Sequence, residues 1–135
     1  METHPDTRLE LLEQWLTSHF GDAAFSLQPA SADASFRRYF RVARECLSWI
    51  AMDAPPGRED CGRFVKVAEL LRSAGVHVPG IVAQDVERGF LLLTDLGTRT
   101  YLDVLDEANA DALFHDAIEA LIRIQLASRP HVLPP

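Results

Sequence analysis

Leu9, Leu12, Leu16 and Phe20 recur at three- and four-residue intervals and stop at Gly21, the spacing that lays one apolar stripe along a helix. Thr7-Arg8-Leu9-Glu10 fits a capping box, in which a threonine hydroxyl and a glutamate three residues on satisfy the first orphan amides. A helix is therefore expected from about residue 7 to residue 20. The period then changes. Between residues 24 and 42, Phe25 and Leu27 alternate with small or polar neighbours, residues 28–34 read as a turn, and residues 36–42 are aromatic and β-prone, which predicts two strands joined by a short loop. Alternation along the second strand puts Arg38 on one face with Phe36, Phe40 and Val42, and Arg37, Tyr39 and Arg41 on the other. A third strand over 47–52 stops at Asp53-Ala54-Pro55-Pro56. Three successive strands with short connections suggest an antiparallel meander.

Beyond the prolines, Phe64, Val67, Ala68 and Leu71 form a second helical stripe, led by Glu59 and Asp60, whose charge suits a helix N-terminus, and ended by Gly75. Two more strands follow over 80–84 and 90–94, separated by a turn at 85–89. Thr100-Tyr101-Leu102-Asp103 opens a short helix, and Asn109 is placed to cap a longer one to about residue 127. The predicted order is α-β-β-β-α-β-β-α-α, an α+β fold with a five-stranded antiparallel sheet and one inserted helix. In the last helix, Leu113, Phe114, Ile118, Leu121, Ile122, Ile124 and Leu126 point around too much of the circumference for a helix covering one sheet face. It is expected to pack against something beyond this chain. Residues 129–135 read as a loop.

Composition narrows the class. With 135 residues, 47% hydrophobic and 24% charged, the chain is the size of one ordinary domain and can bury a real core. A net charge of −7 argues against a protein that coats nucleic acid, which needs an extended basic face. The start of the chain is polar and acidic, unlike a signal peptide, and no run approaches the length of a membrane span. A cytoplasmic protein with no membrane or nucleic-acid partner is expected. Cys46 and Cys61 make no CxxC pair, and the five histidines fall at no metal-ligand spacing.

The segments SFRRYF, MDAPP, FVKVAELLRSAGVHVPGIVAQD and GFLLLTDLGTRTYLDVL resemble the aminoglycoside phosphotransferase family, whose fold is protein-kinase-like. Within it they are most similar to bacterial cell-wall sugar kinases that phosphorylate N-acetylmuramate and N-acetylglucosamine at the anomeric position, in cell-wall recycling. The resemblance covers nearly the whole chain. It implies an ATP-binding N-terminal lobe at 1–96 and the opening helices of an incomplete C-terminal lobe at 97–135, with ATP, Mg2+ and a small sugar as ligands. The missing lobe is expected to pack on 109–127.

Site residues follow from that resemblance. The loop 30–35 would lie over the ATP phosphates; it has no glycine, but Ser31 and Ser35 offer hydroxyl donors. Adenine would bond to backbone groups after the fifth strand, at Thr94, Asp95 and Leu96. Relatives of the fold grip phosphate with a third-strand Lys or Arg paired to a helix glutamate, yet these positions fall near Met52 and Phe64. Phosphate would then fall to Arg37, Arg38 or Arg41, and alternation lets only Arg38 or the Arg37/Arg41 pair face one ligand. No catalytic loop is present: His4-Pro5-Asp6 has Leu11 where an asparagine should stand, and His115-Asp116 reads as two helix-surface side chains. Magnesium ligands are expected outside this chain, which should be inactive alone. The competing readings are a kinase of the same fold acting on choline, homoserine or an aminoglycoside, and a non-catalytic α+β interaction module in which the loop 30–35 is simply a tight turn. Trp15 and Trp49 are expected in packing roles.

Overall fold

The computed structural model describes residues 6–32 and 34–129. His4, Asp33 and residues 130–135 of the loop expected at 129–135 lie outside them. The elements are α1 (Thr7–Phe20), β1 (Ser26–Ala32), β2 (Arg38–Arg44), β3 (Leu47–Asp53), α2 (Cys61–Ser73), β4 (Ile81–Asp85), β5 (Phe90–Thr94), α3 (Tyr101–Val104) and α4 (Ala110–Ala127). This is the expected order. The five strands form one antiparallel sheet in the order β1-β2-β3-β5-β4.

By internal contacts the chain divides into two units, residues 1–61 with 80–95, and residues 62–79 with 96–135. The first holds the sheet and α1. Leu12 and Leu16 of α1 are fully buried with Phe40, Val42, Ala51, Phe90 and Leu92 from one sheet face, each leucine contributing about 1.5–3 kcal/mol of apolar burial. Trp15 and Trp49 pack at the rim of this core, with ring centroids 5.7 Å from Phe90 and 4.9 Å from Phe20 respectively. The helix closes at Gly21, whose φ of 69° suits a residue without a Cβ. Its cap is Asp6 rather than Thr7: Asp6 Oδ1 accepts from the Leu9 amide at 3.1 Å.

Residues 28–32 of the turn expected at 28–34 are instead the second part of β1. Cross-strand pairing with an aromatic β2 outweighs the weak strand propensity of Pro29, Ala30 and Ser31. Pro29 is tolerated because β1 is an edge strand, and the register shifts between Pro29 and Ser31 as a bulge. Because β2 begins at Arg38, Phe36 falls outside it, 55% exposed rather than on the core face. The Arg58 guanidinium lies 4.5 Å over its ring.

Gly89 ties the β4–β5 turn to the end of β3. Its carbonyl accepts from the Ala54 amide at 2.8 Å, its φ is 79°, and a Cβ there would stand 1.8 Å from the Ala54 carbonyl oxygen.

In the second unit, α3 carries the expected capping box between Thr100 and Asp103. Asn109 stands at the α4 N-cap position without capping it. Its Oδ1 accepts from the Asp106 amide at 2.8 Å and its Nδ2 donates to the Val104 carbonyl at 2.7 Å, so it braces the preceding turn instead. Arg123 donates to the Gly75 carbonyl at 2.9 Å, fastening α4 to the end of the α2 segment. Phe114, Ile118, Leu121, Ile122 and Leu126 of α4 are exposed. Among the described residues no helix is long and apolar enough to cross a membrane.

Candidate functional site

Strand pairing sorts the sheet into two faces. Arg38 stands opposite Asp53, Phe40 opposite Ala51 and Val42 opposite Trp49, and this face is covered by α1. Tyr39 stands opposite Met52 and Arg41 opposite Ile50 on the other face, which continues through Leu91 and Leu93 of β5 and through Gln28 and Ser31 of β1. Met52 and Leu91 on this second face are fully buried, whereas Gln28, Ser31 and Ser48 are exposed.

The three arginines therefore serve three different partners. On the α1 side, Asp53 at the end of β3 is completely buried. Its Oδ1 accepts from Arg8 Nε at 3.0 Å and its Oδ2 from Arg38 Nε at 3.1 Å and Nη2 at 2.6 Å. Arg38 also pairs with Asp6 at the cap of α1, and Arg8 lies 4.6 Å from the centre of the Phe90 ring. Asp6 is the larger cause, with Asp53 behind it, of an Arg38 pKa raised above the ordinary guanidinium value, and Arg38 in turn holds the Asp6 carboxyl below the ordinary carboxylate value. A buried carboxylate held by two guanidinium forks is a structural clasp between α1 and the sheet. Arg38 is thus turned away from the face that carries Arg41.

Arg37 belongs to the β1–β2 loop. Its Nε lies 3.2 Å from Glu59 Oε2, and the Phe36 amide donates to Glu59 Oε1 at 3.3 Å, so the loop is docked on the segment ahead of α2. Ser35 Oγ accepts from the Arg37 amide at 3.1 Å and braces the same bend. Ser31 and Arg38 line one open depression of about 380 Å³ at the β1 bulge, with Pro29, Ala30, Tyr39 and Phe40.

Arg41 pairs with Asp95, the first residue after β5. Nε donates to Oδ2 at 2.8 Å, Nη2 donates to Oδ1 at 3.3 Å, and Ser48 Oγ donates to Oδ2 at 2.9 Å. The Asp95 hydrogen bond raises the Arg41 pKa above its ordinary value. Thr94 is engaged with Gly80: its amide donates to the Gly80 carbonyl at 2.9 Å, and its Oγ1 accepts from the Gly80 amide at 2.8 Å. Leu96 follows, 56% exposed.

The sequence had already put Arg38 with Phe40 and Val42, a signal that its charge would need a carboxylate on the core side. Asp53 was missed because it was read as the stop of β3, and Asp6 and Arg8 because the helix cap was set one residue late. Ser48, on the exposed end of β3, carried no sequence signal.

Residues 26–135 match the model of the phosphotransferase enzyme family. The chain is 52% identical over 96% of its length to the N-acetylmuramate/N-acetylglucosamine kinase of Pseudomonas aeruginosa, and 51% identical over 96% to that of Pseudomonas putida. It is 38% identical over 91% of its length to the N-acetylmuramate/N-acetylglucosamine kinase of Neisseria meningitidis. It spans 41%, 41% and 38% of these three relatives. With the family model covering most of the chain and the α+β order of the fold in place, the chain belongs to the phosphotransferase enzyme family.

Proposed function

We propose that the intact protein is an ATP-dependent kinase that transfers the γ-phosphate to the anomeric hydroxyl of N-acetylmuramate or N-acetylglucosamine, in the recycling of cell-wall sugars, and that this chain supplies its nucleotide-binding part. The observation that carries the reading is 52% identity, over 96% of the chain, to a protein named N-acetylmuramate/N-acetylglucosamine kinase. Transfer by such an enzyme depends on positioning and charge stabilisation more than on covalent chemistry.

The division of the sheet supports one choice of nucleotide face. Since α1 covers the Phe40/Val42/Ala51 face, the nucleotide approaches the face of Tyr39 and Arg41, with adenine against the backbone at Asp95 and Leu96. Thr94 takes no part through its amide, which is spent on Gly80. Phosphate lies toward Ser31, Ser35 and Arg37, whose guanidinium is shared with Glu59. Magnesium, when bound with ATP, neutralises charge on the β- and γ-phosphate oxygens. The magnesium ligands, the base and the sugar site come from the rest of the protein, which packs on α4. The chain by itself turns over nothing, and the enzyme works in the cytoplasm.

The test is a substrate panel on the intact protein with Mg·ATP, following ADP release and the phosphorylated sugar by phosphorus NMR. Turnover of N-acetylmuramate and N-acetylglucosamine with loss of the reducing end is expected. Turnover of choline, homoserine or an aminoglycoside instead would overturn the sugar assignment, and no ADP with any acceptor would favour an interaction module.

A further inference from the structure

Residues 94 and 95 are held more firmly than a connection leaving a sheet requires. Asp95 is fixed by Arg41 from β2 and Ser48 from β3, with its side chain only 8% exposed. Thr94 is fixed from the opposite side by two hydrogen bonds to Gly80, just before β4. A Cβ on Gly80 would come within 3.1 Å of Thr94 Cγ2, so the approach there is close. Two strands and the residue ahead of a third thus converge on the two residues that follow the buried run of β5, setting the direction in which the Asp95 peptide leaves the sheet.

From this we infer that Arg41 and Ser48 are positioning residues for the base-binding edge of the nucleotide site, acting through Asp95, and that Arg41 is not a phosphate ligand. The inference rests on the nucleotide reading above. The fork of Arg41 is occupied by the Asp95 carboxylate in a two-point arrangement, a geometry that fixes orientation as well as distance. A phosphate oxygen would have to displace that carboxylate. Held in place, Asp95 presents a peptide edge already ordered for adenine, so binding does not bear the cost of ordering it.

The two roles predict different ligand dependence. A positioning residue affects every ligand that carries adenine by the same factor, whereas a phosphate ligand affects only those that carry phosphate. The experiment is calorimetric titration of the intact protein and of its Arg41→Gln, Ser48→Ala and doubly substituted variants with ATP and with adenosine, together with KM and kcat for ATP. Thermal melts confirm that each variant is folded, and Ser48→Ala, which removes one hydrogen bond, serves if Arg41→Gln does not fold. ATP and adenosine should weaken by the same factor, about three- to tenfold for Arg41→Gln, with KM raised, kcat nearly unchanged and the double variant no worse than Arg41→Gln. Weaker ATP with unchanged adenosine would restore Arg41 as a phosphate ligand and overturn the inference, as would unchanged affinity for both in folded variants. A parent protein that binds neither ligand overturns the nucleotide reading itself, before any variant is measured.

Discussion

Among the described residues, the guanidinium–carboxylate clusters around Asp53 and Asp95 lie on opposite faces of the sheet, and they differ in what surrounds them. Asp53 is fully buried, held by Arg8 and Arg38, and roofed by the helix that supplies Arg8. Around Asp95 there is one guanidinium in place of two, the carboxylate is 8% exposed and Ser48 is at the surface, while Arg41 is about as exposed as Arg8 and Arg38. The same chemical pair is structural in the first setting, because removing one partner strands a buried charge. In the second the carboxylate is buried less completely and has one guanidinium partner in place of two, so breaking the pair costs less, and its value lies in direction. What separates the two settings is the carboxylate, fully buried between two guanidinium groups in one and held by a single guanidinium and a hydroxyl in the other.

The largest effect should come from Asp53→Ala, which leaves two partly buried guanidinium groups facing an empty site: a loss of about 3–5 kcal/mol in urea unfolding. Replacing the whole cluster by apolar residues of similar volume (Arg8→Met, Arg38→Met and Asp53→Leu together) should recover most of that loss. Failure to recover it would mean that the cluster does more than close α1 onto the sheet. Leu16→Ala removes packing from the same interface without touching charge and should cost about 2–5 kcal/mol. A similar loss in Asp53→Ala and Leu16→Ala would show helix docking to depend equally on charge and packing.

Gly89→Ala sharpens the comparison from another side, because it strikes the loop against the Ala54 backbone just beyond Asp53. Steric overlap and a positive φ together should cost about 2–3 kcal/mol, read as a lower midpoint in thermal unfolding. A smaller effect is expected from acid. Arg38 and the Leu9 amide hold Asp6 below its ordinary value of 3.8, so the stability this carboxylate contributes is complete above that value and is lost as pH falls through the lower folded value. Asp6→Asn should therefore flatten the acid limb of the stability profile and leave neutral and alkaline stability changes nearly independent of pH. The smallest stability effect belongs to Asp95→Asn, whose melting temperature should stay close to the parent's.

The order of elements was legible because each carries its own period or punctuation. The heptad-like leucines of α1, the apolar run 90–94 and the Thr100 capping box needed no tertiary information. The end of β1 was not legible, since Pro29, Ala30 and Ser31 resemble a turn until β2 is available to pair with them. The site was half legible. Strand alternation separates Arg38 from Arg41 without any coordinates, but their carboxylates lie 15 and 54 residues away in sequence, and no local pattern joins such pairs. Arginine alone reads as a phosphate ligand; arginine with its partner in view reads as a clasp or a brace.

The most direct test of the division between the two faces is to measure Asp53→Asn and Asp95→Asn side by side in the intact protein, by thermal melting and by titration with ATP. Asp53→Asn should lower the melting temperature strongly while the folded protein keeps the parent's nucleotide affinity, and Asp95→Asn should do the reverse. A folded Asp53→Asn protein with weakened ATP binding, beside an Asp95→Asn protein that binds as the parent does, would contradict the assignment of the two faces.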